Sequence, residues 1–182
     1  MRIATFAGLD VSAKPSAFGT YFVLATCLAI FGASRLRLRA PAAVGFGIAG
    51  VLLHVGSVFV HHLGHALAAR LVGYPMSGMR FFGPLASSLY PEHEPELSAA
   101  MHVCRAAGGP LLSVLFSYVT FLSRAILASR GPRRALWCYL ALDNLVVLGL
   151  GSLAPLPFTD GGTFQHYWPA LRRGIRVSSR FA

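Results

Sequence analysis

Charged residues, and acidic residues above all, are scarce in this sequence. Only 12% of the 182 residues are charged and only six are Asp or Glu, whereas roughly a quarter of the residues in soluble domains are charged. Hydrophobic residues make up 55% of the chain, and the mean hydropathy is +0.60. This balance argues against a soluble domain and predicts an integral membrane protein that has the lipid bilayer as its solvent.

Cysteines are also few, and the basic residues are not arranged as in nucleic-acid-binding proteins. The three cysteines, Cys27, Cys104 and Cys138, are odd in number and include no CxxC pair, so they do not indicate a disulfide framework. The net charge of +10 comes largely from arginines that flank apolar segments, where they can meet the anionic headgroups of membrane lipids. The sequence shows no basic face with interleaved aromatic residues, so we expect no nucleic-acid partner.

Four apolar segments approach or exceed the length of about 20 residues that a helix needs to cross a bilayer. They predict an all-α membrane protein with about four transmembrane helices, at 17–34, 41–72, 106–127 and 135–156. A cleaved signal peptide is the alternative for the first segment, because small residues end it. Its long polar start favours a retained helix.

The stretch between the second and third segments has a different character. Gly, Pro and Ser recur from Gly73 onward, and residues 79–89 predict a short hairpin or re-entrant loop after the second helix. In the loop that follows, Glu92, Glu94 and Glu96 are expected to form a solvated acidic surface, with a substitute catalytic base as the alternative. A basic tail occupies 169–182.

The second apolar segment carries a histidine cluster, HHLGH, at 61–65. His61 and His65 are four residues apart and therefore lie one turn apart on one face of the predicted helix. Two imidazoles at this spacing can bind one zinc ion. A chance cluster is the alternative, but ionisable groups inside membrane helices are costly and tend to be functional.

A zinc site needs a third ligand, and Asp143 and Asp160 are the acidic residues of the apolar segments. Asp160 follows Pro155 and Pro157, which break the helix, and precedes two glycines that allow close backbone approach. Such a broken segment can bring a carboxylate to a metal, although an Asp-Gly turn at the membrane surface is the alternative. Asp143, next to Asn144, is expected to make a polar contact between helices.

Several short motifs resemble those of the site-2 proteases, which are intramembrane zinc metallopeptidases. The sequence HHLGHALA at 61–68 is similar to that family's HExxH followed by small residues. The sequence SLAPLPFTDGG at 152–162 is similar to its second motif, in which Asn, a Pro-x-Pro stretch and an Asp-Gly pair recur. FFGP at 81–84 resembles the family's hairpin near the active site, and AGGP at 107–110 resembles the start of its middle core helix.

The resemblance, which covers 44–166, implies both a fold and a ligand set. It implies that His61, His65 and Asp160 bind zinc, and that a three-helix core at 41–168 follows an N-terminal segment, 1–40, with one additional helix. We further expect a multi-pass protein of a prokaryotic-type cytoplasmic membrane, with the site nearer the face on which the amino terminus lies. The implied partner is a membrane-protein substrate or a partner helix.

Three residues depart from the family pattern. The family's glutamate is a general base that takes a proton from the attacking water, and it is replaced here by His62. That histidine could be a weak base, a fourth zinc ligand or a cavity residue. Ser152 replaces the motif's Asn and Thr159 precedes the Asp, and both could hydrogen-bond a substrate strand.

These departures leave two hypotheses for the function. The first is an intramembrane zinc metallopeptidase. The second is a non-proteolytic pseudoprotease that keeps a structural zinc site and acts as a membrane assembly or regulatory partner. His62 is the feature that favours the second.

The remaining histidines are expected to be structural. His54 lies seven residues before His61, and a hydrogen bond between helices is the expected role, with the lining of a water path to the metal as the alternative. His93, His102 and His166 are expected at the surface.

Overall fold

Helices make up most of the computed structural model, which describes residues 1–6, 8–127 and 130–178. The helices are α1 (Pro15–Arg35), α2 (Ala40–Leu71), α3 (Ala99–Leu127), α4 (Gly131–Leu142) and α5 (Asp160–Ser178). A π-helical segment, Asp143–Leu150, and a 3₁₀ turn, Gly151–Leu153, continue the path of α4.

Four helical stretches are long and apolar enough to cross a membrane, and they coincide with the four predicted segments: Pro15–Arg35, Ala40–Leu71, Ala99–Ser123 and Gly131–Leu153. The third begins before the predicted 106, so Pro110, expected at its start, lies inside α3. The fourth ends at Leu153, whereas the predicted segment continued to 156 and included Pro155. Large apolar side chains cover the outside of these helices, as lipid contact requires, among them Phe22, Leu52, Leu111, Ile126 and Leu150.

Glycines allow the helices to pack closely. A Cβ added to Gly64 on α2 would overlap the Gly108 carbonyl on α3, and a Cβ on Gly108 would overlap the Gly64 carbonyl. Gly47 meets Ala25 and Ala29 of α1 in the same way. Because lipid is as apolar as leucine, membrane helices associate through such close packing rather than through a hydrophobic driving force. The glycines of α2 therefore set the spacing of the bundle.

A four-stranded sheet packs at one end of the bundle. Strands β3 (Gly78–Phe82) and β4 (Leu85–Leu89) form the antiparallel hairpin that the sequence predicted at 79–89. A second antiparallel hairpin, β1 (Arg2–Phe6) and β2 (Leu9–Ala13), was not predicted, and its β2 pairs in parallel with β3. The order is β1-β2-β3-β4, which leaves β4 at one edge of the sheet.

The sheet, the amino terminus and the start of α5 lie at the same end of the bundle. Helices α1 and α2 run antiparallel, because Gly32 near the end of α1 lies against Phe46 and Tyr21 lies beside His54 at the middle of α2. The first turn of α1 is therefore near the second half of α2. Strand β2 leads into α1 and pairs with β3, which follows α2. Asp160, the first residue of α5, contacts His65 in that same half of α2.

We expect both chain termini on one side of the membrane, because four spans of alternating direction return the chain to its starting face. The measurement is maleimide labelling of Thr5→Cys and Arg172→Cys, each in a chain whose Cys27, Cys104 and Cys138 are replaced by Ser. Labelling is compared between intact cells and inverted vesicles. Opposite accessibility of the two positions would rule out four crossings.

A matched pair of glycines tests the helix packing. In Gly64→Ala the new methyl group meets the Gly108 backbone, so the helices must separate, and overpacking of this kind costs about 1–3 kcal/mol. In Gly56→Ala the Cβ meets nothing within 4 Å, and alanine favours the helix by roughly 0.5–1 kcal/mol. We expect Gly64→Ala to unfold in detergent at a clearly lower temperature than the natural chain, and we expect no such decrease for Gly56→Ala. Equal unfolding temperatures would contradict this packing.

Candidate metal centre

The three predicted ligand residues come together inside the bundle. His61 and His65 lie on one face of α2 with their Nε2 atoms 3.0 Å apart. Asp160 approaches from α5, with Oδ2 at 3.3 Å from the Nε2 of His61 and Oδ1 at 3.3 Å from the Nε2 of His65. One candidate ligand atom from each residue lies within 4.8 Å of the other two. Both histidines are buried, and Asp160 is half-buried.

The donor set and its distances fit a metal ion such as zinc. A tetrahedral zinc site with bonds of about 2.0–2.2 Å has ligand-to-ligand edges of about 3.3–3.6 Å. The two nitrogen-to-oxygen distances match these edges and the nitrogen-to-nitrogen distance is slightly shorter. Two imidazoles and one carboxylate are also a donor set that zinc accepts, and they leave a fourth position open.

Hydrogen bonds at the far side of each ring set the orientation of both histidines. The Nδ1 of His65 lies 2.9 Å from the Arg105 carbonyl, to which it must donate. The Nδ1 of His61 lies 3.0 Å from the Ser113 hydroxyl. A donating Nδ1 leaves the Nε2 lone pair free for a metal, which is the usual arrangement behind histidine ligands. Both partners belong to α3, so this helix aims the two imidazoles.

Gly109 provides the space that the two rings occupy. A Cβ at this position would overlap the Nε2 and Cε1 atoms of His65 and lie 2.6 Å from the Nε2 of His61. The glycines of the AGGP stretch therefore have two uses. Gly108 lets α2 and α3 approach, and Gly109 accepts the imidazoles.

A tight loop before α5 aims Asp160. The Thr159 hydroxyl donates to the Leu156 carbonyl at 2.9 Å, and it accepts from the Gly162 amide at 3.3 Å, as a residue that caps a helix does. It also contacts the Ala154 carbonyl. Side chains at Gly161 or Gly162 would overlap backbone carbonyls of this loop. The Asp-Gly pair therefore opens a helix rather than forming an isolated turn.

Ser152 and Thr159, predicted to bind a substrate strand, both line the cavity beside the metal centre. The Ser152 hydroxyl donates to the Gly149 carbonyl at 3.1 Å, and the Thr159 hydroxyl is used within its own loop. Their role toward a substrate stays a prediction.

His62 lies next to the ligand pair but is not among the three grouped ligands. It is buried, and its ring centre lies 5.3 Å from that of His61 and 5.5 Å from that of His65. Its Nδ1 lies 2.9 Å from the carbonyl of Val58, one turn earlier on α2, and donates to it. Within the described residues its Nε2 has no hydrogen-bond partner, and the side chain lines the cavity.

A cavity of about 580 Å³ opens beside the metal centre. Strand β4 contributes Leu85 to Ser88 to one wall, and the segment from Gly151 to Asp160 contributes to another. The histidine cluster also lines this cavity. The edge strand of the sheet is thus next to the candidate metal centre.

The acidic loop is only partly solvated. Glu92 and Glu96 are exposed, as expected, but Glu94 lines the cavity and pairs with Arg105 at 2.9 Å. The Arg105 guanidinium also lies 3.3 Å from the centre of the Tyr90 ring. A signal for this pair was present in the sequence, because a buried arginine in an apolar helix needs an anionic partner.

Of the other histidines, His93 and His166 are exposed as expected. His102 is instead half-buried and stacks on Tyr167 of α5 with ring centres 4.2 Å apart. His54 makes the expected hydrogen bond between helices, to Asp143, and is not among the residues that line the cavity. Asn144 binds Ser57 of α2 at 2.7 Å, a further contact between helices that the sequence predicted.

The architecture has a known counterpart. The sequence matches no protein-family model and no curated protein. The structure is similar to that of the site-2 protease from Methanocaldococcus jannaschii, with a TM-score of 0.67, 21% sequence identity, and coverage of 91% of this chain and 69% of that chain. We conclude that the chain has the site-2 protease fold and is an integral, multi-pass membrane protein.

Proposed function

We propose that this chain is a zinc-binding intramembrane peptidase that cleaves slowly. The observation that carries the proposal is the arrangement of His61, His65 and Asp160, whose three ligand atoms leave room for a fourth on a tetrahedral ion. A structural zinc site is normally closed by four protein ligands, whereas a catalytic site keeps one position open. The candidate ligands are His61, His65 and Asp160, without His62. Three protein ligands support a catalytic site with one open position.

The proposed substrate is an extended segment of a membrane protein. An edge strand presents unpaired backbone N–H and C=O groups, to which a peptide strand can add. Strand β4 is at an edge of the sheet and lines the same cavity as the metal centre. A transmembrane helix that unwinds locally would offer such a strand, and Ser152, which lines the same cavity, could contact it. The cavity therefore supports the binding of one peptide strand between β4 and the loop before α5.

Zinc, when bound, would supply Lewis-acid polarisation of a peptide carbonyl and a water more acidic than bulk water. The chain itself would supply the three ligands, the strand that orients the peptide and a proton acceptor. The side chain that could serve as the proton acceptor is His62, because its Nδ1 donates to Val58 and its Nε2 is left as an acceptor.

We expect His62 to be a poor general base. A carboxylate is attracted to the metal and stabilises positive charge as it takes the proton, whereas a neutral imidazole has no charge to offer. Its protonated form would lie beside the cation. Loss of a well-placed general base costs about 10²- to 10⁴-fold in rate. The natural chain should therefore retain zinc and cleave slowly.

The second candidate function is a non-proteolytic relative that binds a partner helix in assembly or regulation. His62 is the observation that favours it, because the same cavity can hold a peptide strand without cleaving it. The two candidates share the metal and the cavity, and they differ in whether the bound strand is cut.

We expect about one zinc per purified chain. Replacing His61, His65 or Asp160 by Ala removes one of three ligands and should lower zinc content strongly, whereas His93→Ala, an exposed histidine, should not. Metal analysis after gel filtration measures the content, and the visible spectrum of the cobalt-substituted protein reports tetrahedral coordination. Full zinc occupancy in all three ligand variants would exclude this ligand set.

We also expect His62→Glu to raise the cleavage of a helical reporter substrate, because it places a carboxylate at the position of the family's general base. The gain should approach roughly 10²-fold if the carboxylate is well placed, with zinc content unchanged. The natural chain, His62→Glu and the blank Asp160→Ala are compared side by side in liposomes.

His62→Gln is the matched control for the substitution, because it has nearly the size of glutamate without the charge. It should leave cleavage at or below the natural level. Efficient cleavage by the natural chain that His62→Glu reduces would contradict the proposal. It would mean that His62, or a loop carboxylate such as Glu94, already serves as the base.

A further inference from the structure

A second polar cluster, centred on His54, lies two turns before His61 on α2. His54 is buried, and each of its ring nitrogens faces an acceptor. The Nδ1 lies 3.1 Å from both carboxylate oxygens of Asp143, and the Nε2 lies 2.7 Å from the carbonyl oxygen of Pro84. The three residues belong to α2, to the start of the π-helical segment and to the turn between β3 and β4.

The proton positions follow from the acceptors. A carbonyl oxygen can only accept, so the His54 Nε2 carries a proton and donates it to Pro84. A further proton lies in the bond between Nδ1 and the Asp143 carboxyl group. The pair is thus satisfied on all sides that face the protein, which offsets the cost of burying two ionisable groups within a membrane-spanning segment.

The bond to Pro84 ties the turn of the β3–β4 hairpin to the core helix α2. A second bond of this turn, from the Gly83 amide to the Ser16 hydroxyl of α1, is longer at 3.4 Å and lies on the exposed side. Gly83 itself has φ +52°, which favours glycine and lets the turn present the Pro84 carbonyl inward. Strand β4 begins at the next residue, Leu85.

The same histidine also reaches the element that leads to the metal centre. Asp143 begins the segment Asp143–Leu150, whose continuation carries Ser152 and the loop before Asp160. The neighbouring Asn144 adds its bond to Ser57 of α2. One side chain of α2 therefore connects both walls of the cavity, although it is not among the residues that line it.

We infer that His54 is a positioning residue whose Nε2–H bond holds the β3–β4 hairpin, and with it the cavity wall formed by β4, in place. Loss of this bond lets β4, which stays paired with β3, shift relative to α2 together with the hairpin turn. The inference concerns the placement of the strand and does not depend on zinc or on cleavage. Failure of the proposed function would therefore leave the role of His54 unaffected.

Two substitutions separate the two bonds of His54. In His54→Gln the amide nitrogen reaches the position of Nε2 and can donate to Pro84, while the contact with Asp143 is lost. In His54→Asn the shorter amide matches Nδ1, so the contact with Asp143 is kept and the bond to Pro84 is lost. Each variant thus keeps one of the two bonds and loses the other, and both carry the same carboxamide group.

The reporter is Ser87→Cys on β4, in a chain whose three native cysteines are replaced by Ser, and the measurement is its rate of maleimide labelling in detergent. We expect His54→Asn to raise the rate about fivefold, the factor given by loss of a hydrogen bond of ordinary net strength. His54→Gln should label like the parent. Ser34→Cys at the far end of α1 is the control reporter and should label equally in all three chains.

Zinc content and helical circular dichroism, measured on the same samples, show whether each variant keeps the bundle intact. Equal labelling of all three chains would overturn the inference. So would an equal rise in both variants, because it would make the pairing with Asp143, rather than the bond to Pro84, responsible for the strand position. If His54→Asn does not fold, His54→Ala, which lacks both bonds, takes its place: labelling faster than that of His54→Gln supports the bond to Pro84, and labelling equal to it overturns the inference.

Discussion

Polar groups inside a membrane bundle must find their hydrogen-bond partners within the protein, because lipid offers none. His61 and His65 meet this constraint through Ser113 and the Arg105 carbonyl, both on α3. These partners are within reach only because Gly64 and Gly108 let the two helices touch. The orientation of both imidazoles therefore depends on the glycine contact at Gly64, which lies between the two histidines in the sequence.

The same constraint shapes the loop that carries Asp160. Two prolines, Pro155 and Pro157, follow the fourth span, and the Thr159 hydroxyl contacts the carbonyls of Ala154 and Leu156 in this stretch. Thr159 thereby closes the loop and caps α5 with one side chain, and Gly161 and Gly162 let the loop carbonyls lie against the helix. A carboxylate in the first turn of a helix also faces its positive end. Asp160 is thus oriented by the backbone chemistry of its own loop.

Features that are local in sequence could be predicted, and features that join distant segments could not. The spacing of His61 and His65 follows from helix geometry, the four spans follow from hydropathy, and the β3–β4 hairpin follows from its turn residues. The β1–β2 hairpin was missed because its position depends on pairing with β3, whose residues are more than sixty positions away. The helical start at Asp160 was missed because Asp-Gly favours turns and caps alike.

His62 lies where the site-2 protease motif has glutamate, and it differs from a glutamate in the direction in which the side chain is held as well as in its charge. Imidazole Nδ1–H can donate, and in this chain it donates to the Val58 carbonyl of the same helix. A glutamate carboxylate has no proton to donate when ionised, so that carbonyl would repel it and the side chain would extend away from its own helix. Histidine is therefore anchored to α2 by a bond that glutamate cannot make. For this reason the position of its Nε2 is fixed by the geometry of one helical turn, whereas a carboxylate at the same position would be free to adjust to a ligand in the cavity.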